Sequence, residues 1–471
     1  MEHPPYVPPE EPPARRSHDP VAVALGNASL VGVGYLLLRR RWFAVLTGLV
    51  TIALVTLLVT VARTVWFEFV VLLWWIALIA HGWFLARRGA DRVVRRKQRL
   101  IALAVTVPVL LAVGFLRFDA ARIEGTVTEA RATGDCARAD AALGRVWFGH
   151  RVADAPMTVR GEGTTRACAR IRDAKTRLAT ALTGDIDSLK TGFDELGTVL
   201  ARQPGHEKMV GVALDGFLAG LPAKDPCHTA VITDWISGRH NDRTVLDRAA
   251  SVVPRTAPPA LVGCGDQFAG AAQWEQARTR YQQLLDRYPG HELAAGAAEG
   301  VKKSTLALEL ANVRGLLGSS AARRPVYCDR PAQYGGAPAY AKGAANRALF
   351  YGDGEYPAKL PAEWRAGDVA DAVLVVCLGD RGYGAPVQTC PYTSSSAPGV
   401  VGNVTFHKIA IPVRAYELRT GKLVTDTRVE IGGASCPQHF TVPHHVGGPP
   451  PRQYVSPSDA DLRAGFAPVV R

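Results

Sequence analysis

The sequence predicts a chain of mixed fold class: N-terminal transmembrane α-helices, then an all-α region of helical hairpins, then a C-terminal α+β domain with an antiparallel sheet. Long apolar runs are confined to the first 117 residues, which contain none of the eight cysteines. Apolar residues then recur at three- and four-residue spacing, which is typical of packed helices. Near residue 325 this periodicity gives way to Gly, Pro, Tyr and Val. At 471 residues the chain is also too long for one core, because cores tend to split beyond ~250–300 residues.

The N-terminal part begins with a Pro-rich arm, residues 1–20, whose composition favours extended polyproline II and predicts disorder. Three strong apolar runs follow, and the first two approach the ~20 residues that a helix needs to cross a hydrocarbon core. A weaker run contains Asn27, Ser29 and several glycines, and either spans or lies in the interface. We expect it to span. Residues 21–117 are therefore predicted to form a four-helix transmembrane domain, with helices at about 21–38, 43–62, 65–86 and 100–116.

Positive charge predicts the orientation of these helices. Residues 87–99 carry seven Lys or Arg against one Asp, and residues 39–41 are three arginines. The positive-inside rule places both clusters in the cytoplasm and residues 118 onward outside. The even number of cysteines beyond the helices agrees, because paired thiols persist in oxidising compartments. We predict a multi-pass cell-membrane protein whose large C-terminal part is extracytoplasmic, with the N-terminus outside for four spanning helices and inside for three.

The net charge of +13 invites a nucleic-acid function, but its distribution argues against one. Residues 1–117 hold 14 Lys or Arg against 6 Asp or Glu, whereas the remaining chain holds 41 against 36. A nearly balanced region has no electrostatic footprint for a phosphate backbone. The partners predicted are therefore the lipid bilayer and an unidentified extracytoplasmic protein or envelope ligand, and not a nucleic acid.

Glu68 and His81 are ionisable residues within an apolar run. Such groups are expensive at membrane depth and often functional, so both are candidates for a transport site. Each lies about one turn from an end of the predicted helix. Snorkelling of both side chains to the headgroups is therefore the favoured interpretation.

Residues 118–320 are predicted to form the all-α domain, and 258–291 is its most informative stretch. Small residues there would let two helices approach closely, aromatic residues would fill their crossing, and a proline would end the second helix. The positions concerned are Leu261, Cys264, Gly265, Phe268, Ala277, Tyr281, Leu284 and Pro289. Their spacing resembles one unit of the tetratricopeptide repeat family, with weaker echoes before it. The resemblance implies stacked helical hairpins that present a concave binding surface. An unrelated helical bundle is the alternative.

Residues 325–471 are predicted to form the β-rich domain. Its β segments are at 371–377, 387–390, 404–418 and 423–431. The first two are expected to form one hairpin, and the last two a second hairpin whose turn places Gly421 at positive φ. The stretch Ser456-Pro457-Ser458-Asp459 has the residue types of an N-cap and predicts a final short helix that ends near Phe466.

The eight cysteines are predicted to form four disulfides, although eight cysteines allow 105 connectivities. Sequence proximity favours two bridges in the helical region and one across the first β hairpin, and leaves two cysteines to join the ends of the β-rich domain. The expected pairs are Cys136–Cys168, Cys227–Cys264, Cys377–Cys390 and Cys328–Cys436.

No catalytic residue, metal ligand or cofactor site is assigned. Cys436 and His439, with His444 and His445, have the spacing of a partial metal site, but further ligands are not evident and a half-cystine in a polar loop is favoured. The predicted function is non-enzymatic binding through the helical stack and the β-rich domain. A transporter or channel component that uses the helices around Glu68 and His81 is the first alternative, and an extracytoplasmic metal-dependent hydrolase is the second.

Overall fold

The computed structural model describes residues 19–88, 96–318, 324–352, 355–393, 399, 401–441 and 450–471. Nearly all of the predicted disordered arm, and residues 89–95 of the predicted cytoplasmic loop, lie outside these ranges. The described chain is mostly helical, with a mixed sheet near its C-terminus. Contacts divide the chain into an N-terminal unit, Met1–Ala257, and a C-terminal unit, Pro258–Arg471. The predicted domain limits at 118 and 325 do not coincide with this division and stay predictions.

The described part of the N-terminal unit is built from helices. They are α1 (Pro20–Ala28), α2 (Val33–Leu37), α3 (Arg41–Thr60), α4 (Val65–Arg87), α5 (Arg96–Thr133), α6 (Cys136–Leu143), α7 (Phe148–Ala153), α8 (Ala155–Ala181), α9 (Ile186–Arg202), α10 (Glu207–Leu218), α11 (Pro226–Ser237) and a 3-10 helix (Val245–Val252). Helix α12 (Val253–Gly270) contains the division between the units.

Three helices in the described ranges are long and apolar enough to cross a membrane: α3, α4 and α5. The predicted fourth spanning helix at 21–38 is wrong, because this segment is broken. Helix α1 ends at Ala28, Leu30 and Gly32 take positive φ values of 62° and 74°, and α2 begins at Val33. The chain therefore reverses where a spanning helix would continue.

Helices α1 and α2 form a tight hairpin. A Cβ added to Gly26 would lie 2.7 Å from the Gly34 nitrogen, whereas a continuous helix would separate these residues by about 12 Å. At the start of α1, Asp19 accepts a 2.6 Å hydrogen bond from Arg99, near the start of α5. At its end, the Ala28 carbonyl accepts from Trp75, in the middle of α4. The hairpin therefore begins at the end of the bundle where α3 and α5 start, which we call the arginine end because Arg41 and Arg96 lie there. It turns back about halfway along the bundle.

Helix α5 connects the apolar bundle to the helices that follow. It runs for 38 residues, about 57 Å, with Pro108 inside it. Its last turns bury Ala120, Ile123 and Val127 in a core shared with α6 and α8. Because the helix is continuous, no linker separates its apolar part from the helical region.

The helices after α5 begin at well-defined caps. Aspartate side chains accept hydrogen bonds from the backbone at the first turns of α6, α8, α9 and α11, which satisfies amide groups that a helix start leaves unpaired. Helices α8 and α9 then pack as an antiparallel pair, in which Gly192 lies against Leu178. The disulfide Cys136–Cys168 joins α6 to α8 and confirms the predicted pair.

His206, the residue before α10, is a buried polar group of this region, with a side chain only 4% exposed. Its Nδ1 lies 2.9 Å from the Gln203 carbonyl oxygen, and its Nε2 lies 3.1 Å from Thr164 Oγ1. A carbonyl only accepts, so Nδ1 carries the hydrogen and Nε2 accepts from the hydroxyl in the neutral ring. Burial lowers the pKa of His206.

This depressed pKa predicts a stability loss in acid. Below about pH 6.5, the unfolded chain binds a proton at His206 more readily than the folded chain, so the free energy of unfolding falls as the pH drops. We expect the melting temperature of the full chain to fall more between pH 7.5 and 5.5 for the wild type than for His206→Gln. His240→Gln, which alters an exposed histidine, is the control and should match the wild type. An equal fall in all three proteins would contradict the assignment.

The C-terminal unit contains the remaining elements. Its helices are α13 (Trp274–Arg287), α14 (Ala294–Leu317) and α15 (Asp459–Val470), and its strands are β1 (Ala348–Tyr351), β2 (Leu374–Leu378), β3 (Gly382–Thr393), β4 (Val401–Glu417), β5 (Leu423–Ile431) and β6 (Arg452–Tyr454). Short 3-10 helices lie at Val326–Cys328, Pro357–Lys359, Ala362–Trp364 and Val369–Asp371.

The sheet has the order β1-β2-β4-β3, with β5 and β6 also paired to the long strand β4. The prediction of an antiparallel sheet is wrong, because β1 pairs parallel with β2 and β6 pairs parallel with β4. A parallel pair needs a crossover of a dozen or more residues, and the connection from β1 to β2 has that length. Helix α15 has Ser458, within the predicted capping stretch, as its N-cap. It ends at Val470 rather than near Phe466, and it packs Phe466 into the core beside Ile431.

The predicted second hairpin is confirmed, since β4 pairs antiparallel with β5 and Gly421 has a φ of 70°. The predicted first hairpin is wrong. Strands β2 and β3 do not pair with each other, because each pairs with a different part of β4. The expected bridges Cys377–Cys390 and Cys328–Cys436 are therefore also wrong, and the observed pairs are Cys328–Cys377 and Cys390–Cys436. Cys227 and Cys264 are both disulfide-bonded.

Candidate functional site

The α1–α2 hairpin buries polar backbone among apolar helices, and side chains of α4 and α5 satisfy it. The Leu25 carbonyl accepts a 2.6 Å hydrogen bond from Thr106 Oγ1, and the Ala28 carbonyl accepts a 3.0 Å bond from Trp75 Nε1. Asn27 Nδ2 donates to the Leu78 carbonyl at 3.1 Å. The last carbonyls of a helix have no partner within it, and irregular backbone at membrane depth is tolerated only where protein or a water-filled cavity satisfies it. The hairpin is therefore held in the bundle by specific hydrogen bonds from α4 and α5.

One polar atom of the hairpin is left over. Asn27 is 1% exposed, and its Oδ1 has no hydrogen-bond partner within the described residues. Nearby, the hydroxyl of Tyr35 lies 2.8 Å from His81 Nδ1 of α4. The Asn27 amide, the Tyr35 hydroxyl and the His81 ring therefore form a small polar cluster, which we call the hairpin cluster.

His81 was expected to reach the headgroups by snorkelling. Its Nδ1 lies 2.8 Å from the hydroxyl of the buried Tyr35, while its own side chain is exposed at the bundle surface, so snorkelling stays a prediction. The His81 ring therefore joins the buried polar cluster to the surface of the bundle. This geometry is the chemical basis for retaining His81 as a candidate transport residue.

Glu68 lies at the other end of α4. Its Oε2 accepts a 2.9 Å hydrogen bond from Arg117 Nη2, and Arg117 Nε donates to the Ala153 carbonyl at 2.7 Å. Glu68 therefore ties α4 to α5 and, through Arg117, to α7. Thirteen residues of helix separate Glu68 from His81, about 20 Å along α4, so the structure does not bring the two candidates into one site.

Sequence reasoning missed the partners of these residues. Tyr35 and Arg117 are 46 and 49 residues from His81 and Glu68, and no local pattern relates them. Asn27 and Ser29 did set the run at 21–38 apart from the stronger apolar runs, but left open whether it spans or lies in the interface.

The residues predicted from the repeat pattern fall on two helices and the turn after them. Gly265 and Phe268 lie on α12, Tyr281 lies on α13, and Pro289 follows the end of α13 in an exposed turn. Leu261, Cys264, Ala277, Tyr281 and Leu284 are buried. Gly265 faces the Tyr281 ring, whose hydroxyl donates to Asp266 Oδ1 at 2.6 Å.

A shallow groove of about 470 Å³ lies between α7 and α8. Its walls combine apolar, polar and charged groups, among them Leu143, Val146, Arg151, Thr158 and Arg166. Such an open groove suits a surface contact with a partner better than the enclosed binding of a small substrate, because small-ligand sites bury most of the ligand.

His439 is exposed in the segment that follows Cys436, and Cys436 is bonded to Cys390. Among the described residues, no group of three or more His, Cys, Asp or Glu side chains could hold a metal ion. His444 and His445 lie outside the described residues. The proposed hydrolase site therefore stays a hypothesis.

The sequence matches no protein-family model, no curated protein and no solved structure. The resemblance of residues 258–291 to the tetratricopeptide family therefore stays a prediction.

Proposed function

We propose that this chain is a membrane-anchored, extracytoplasmic binding protein without catalytic activity, which holds its helical region and its β-rich region available to a protein or envelope ligand. The observation that carries the proposal is the continuity of α5. A helix that spans the membrane and then enters a folded core fixes the distance between that core and the bilayer.

Further contacts support a fixed attachment of the helical region to the apolar helices α3, α4 and α5. Arg63, in the turn between α3 and α4, forms a 2.7 Å ion pair with Glu162 of α8. Arg117 joins α5 to both Glu68 and the Ala153 carbonyl. Individual exposed ion pairs contribute little stability, but together with the continuous helix they restrict tilting of the helical region. A rigid attachment suits a protein that presents a surface to partners near the membrane.

The side of the membrane can be tested with single introduced cysteines, because no cysteine among the described residues is free. Gly216→Cys places a thiol on an exposed face of α10, where an added Cβ has open space. Arg88→Cys, at the arginine end, is the matched control. In intact cells, a membrane-impermeant maleimide should label Gly216→Cys fully and Arg88→Cys only after permeabilisation. The reverse pattern would exclude an extracytoplasmic binding function.

The binding function is tested by photo-crosslinking in intact cells. A photoreactive amino acid at the exposed Val159, beside the α7–α8 groove, should give a discrete crosslinked band, whereas the same residue at the buried Leu189 should give none. Mass spectrometry then identifies the partner. An absence of crosslinks from Val159 and from Val401 of the β-rich region, which is also exposed, would count against the proposal.

The hairpin cluster favours one second candidate, a transporter or channel component. A half-depth hairpin with an unsatisfied amide oxygen and a nearby histidine resembles the irregular segments that form ion sites in transporters. Purified full chain in proteoliposomes with an internal pH-sensitive dye should then conduct protons, and His81→Ala should reduce the rate at least tenfold. Leu73→Ala, which alters an exposed apolar side chain of α4, is the control. Equal rates for protein-free and wild-type vesicles would remove this candidate.

A further inference from the structure

We propose that residues 145–153, here called the Trp147 turn, form a second membrane contact that docks the helical region onto the phospholipid headgroups of the adjacent leaflet. This inference rests on the proposed membrane anchoring by α3, α4 and α5. It assigns to a part of the chain outside the spanning helices a binding surface for lipid.

The Trp147 turn exposes two large aromatic side chains. Trp147 is 57% exposed and Phe148 is 65% exposed. The segment is nevertheless firmly held, because the adjacent His150 is buried and its Nε2 lies 3.1 Å from Asp119 Oδ2 of α5. Neighbouring exposed aromatics on an ordered segment typically mark an interaction site.

The position of the turn identifies the occupant. Helix α7 contacts α3, and the Ala153 carbonyl accepts a hydrogen bond from Arg117. His150 and Ala153 are therefore level with residues 117–119, where α5 leaves its apolar span, and Trp147 and Phe148 lie within about one helical turn of that level. Exposed apolar residues lie at the same end of the three spanning helices: Val61, Trp66, Phe115 and Phe118. Trp and Tyr concentrate at this depth in membrane proteins, because an amphipathic ring fits the boundary between headgroups and acyl chains.

Charge around the turn fits a phospholipid surface. Arg145 and Arg151 flank the two aromatic residues, both are exposed, and neither forms an ion pair within the described chain. Arg151 also lines the edge of the α7–α8 groove, which adjoins the turn. In this arrangement the aromatic rings reach the acyl-chain boundary, and the guanidinium groups lie beside the lipid phosphates above it. A soluble protein partner would explain the aromatics but not their level with the membrane boundary.

The test uses the full chain in vesicles of phosphatidylcholine and phosphatidylglycerol, with a fluorescent NBD label on one introduced cysteine. Phe148→Cys reports on the Trp147 turn, Leu111→Cys on the spanning part of α5, and Gly216→Cys on a surface away from the membrane boundary. Lipids spin-labelled near the headgroup should quench the Phe148 label at least twofold and leave the Gly216 label unchanged. Aqueous iodide should quench the Gly216 label more than the Phe148 label.

The outcomes separate this inference from the proposed anchoring. Quenching at Leu111 without quenching at Phe148 would overturn the docking and leave the anchoring intact, whereas no quenching at either would overturn both. A Phe148 label shielded from iodide and from the spin-labelled lipids would show that protein covers the turn, which also contradicts the proposal.

The arginine contribution is tested separately in the Phe148→Cys background. Quenching should increase with the phosphatidylglycerol fraction, and Arg145→Gln with Arg151→Gln should remove that increase. Arg170→Gln with Arg177→Gln, two exposed arginines on α8, is the matched control and should keep it. An unchanged lipid dependence in the Arg145 and Arg151 variant would overturn the assigned headgroup contact.

Discussion

Replacement of Gly34 by valine is expected to lower the melting temperature of the N-terminal unit by about 6 °C. Gly34 packs directly on α1, where an added Cβ would collide with the Val23 carbonyl oxygen and lie 2.5 Å from Asn27 Oδ1. Backbone atoms cannot rotate away as a flexible side chain can. The cost should therefore reach the upper end of overpacking penalties, about 3 kcal/mol.

The measurement is thermal unfolding of purified protein in lipid nanodiscs, followed by tryptophan fluorescence. Gly48→Val is the matched control, because Gly48 lies on α3 with nothing within 4 Å of an added Cβ. It should leave the melting temperature within about 2 °C of the wild type. If both variants melt together with the wild type, α2 does not fold back on α1.

The second large effect is expected at Tyr281, where alanine should destabilise the C-terminal unit by about 3–5 kcal/mol. The Tyr281 ring is buried between two helical glycines, with an added Cβ at Gly265 lying 2.5 Å from the ring and one at Gly300 lying 2.7 Å away. Truncation would leave a cavity that these glycines cannot fill. It would also leave Asp266 without its hydrogen bond from the hydroxyl.

Two Gly→Ala variants test the same packing by adding a methyl group to a helix instead of truncating the Tyr281 ring. Gly265→Ala should lower the free energy of unfolding by about 1–3 kcal/mol, because the methyl group competes with the ring. Gly296→Ala, on α14 with open space around it, should change stability by less than about 1 kcal/mol, and in the favourable direction. Urea unfolding of the full chain measures both. Equal effects of the two substitutions would show that Tyr281 does not fill the space between the helices.

Features that depend on local composition were predictable from the sequence. The apolar runs at 43–62 and 65–86 correspond to α3 and α4, and the turn at Gly421 and the cap at Ser458 are where the residue types require them. In each case the physical cause lies within a few residues of the position. Composition or a single side chain then suffices.

Features that depend on distant contacts were not predictable. Whether residues 21–38 span or fold back depends on Gly34 meeting α1 and on partners from α4 and α5 for the hairpin carbonyls. Similarly, β2 and β3 are neighbours in the sequence but pair with different parts of β4, so proximity suggested the wrong bridge for Cys377. Strand pairing is set by the whole sheet.

The sequence identified two residues of the candidate site but not the residues they contact. Glu68 and His81 stood out because ionisable residues are rare in apolar runs, but the sequence predicted no protein partner for either. Arg117 and Tyr35 supply those partners from elsewhere in the chain. A single sequence identifies an unusual residue more readily than the distant residue that explains it.

The order of the bridges has a consequence for biosynthesis. In Cys136–Cys168, Cys328–Cys377 and Cys390–Cys436, each cysteine is joined to the next one along the chain. A polypeptide that emerges into an oxidising compartment from its N-terminal side can close each of these bonds as soon as the second thiol arrives. Correct oxidation would then follow the order of translocation, with little dependence on an isomerase to rearrange mispaired thiols.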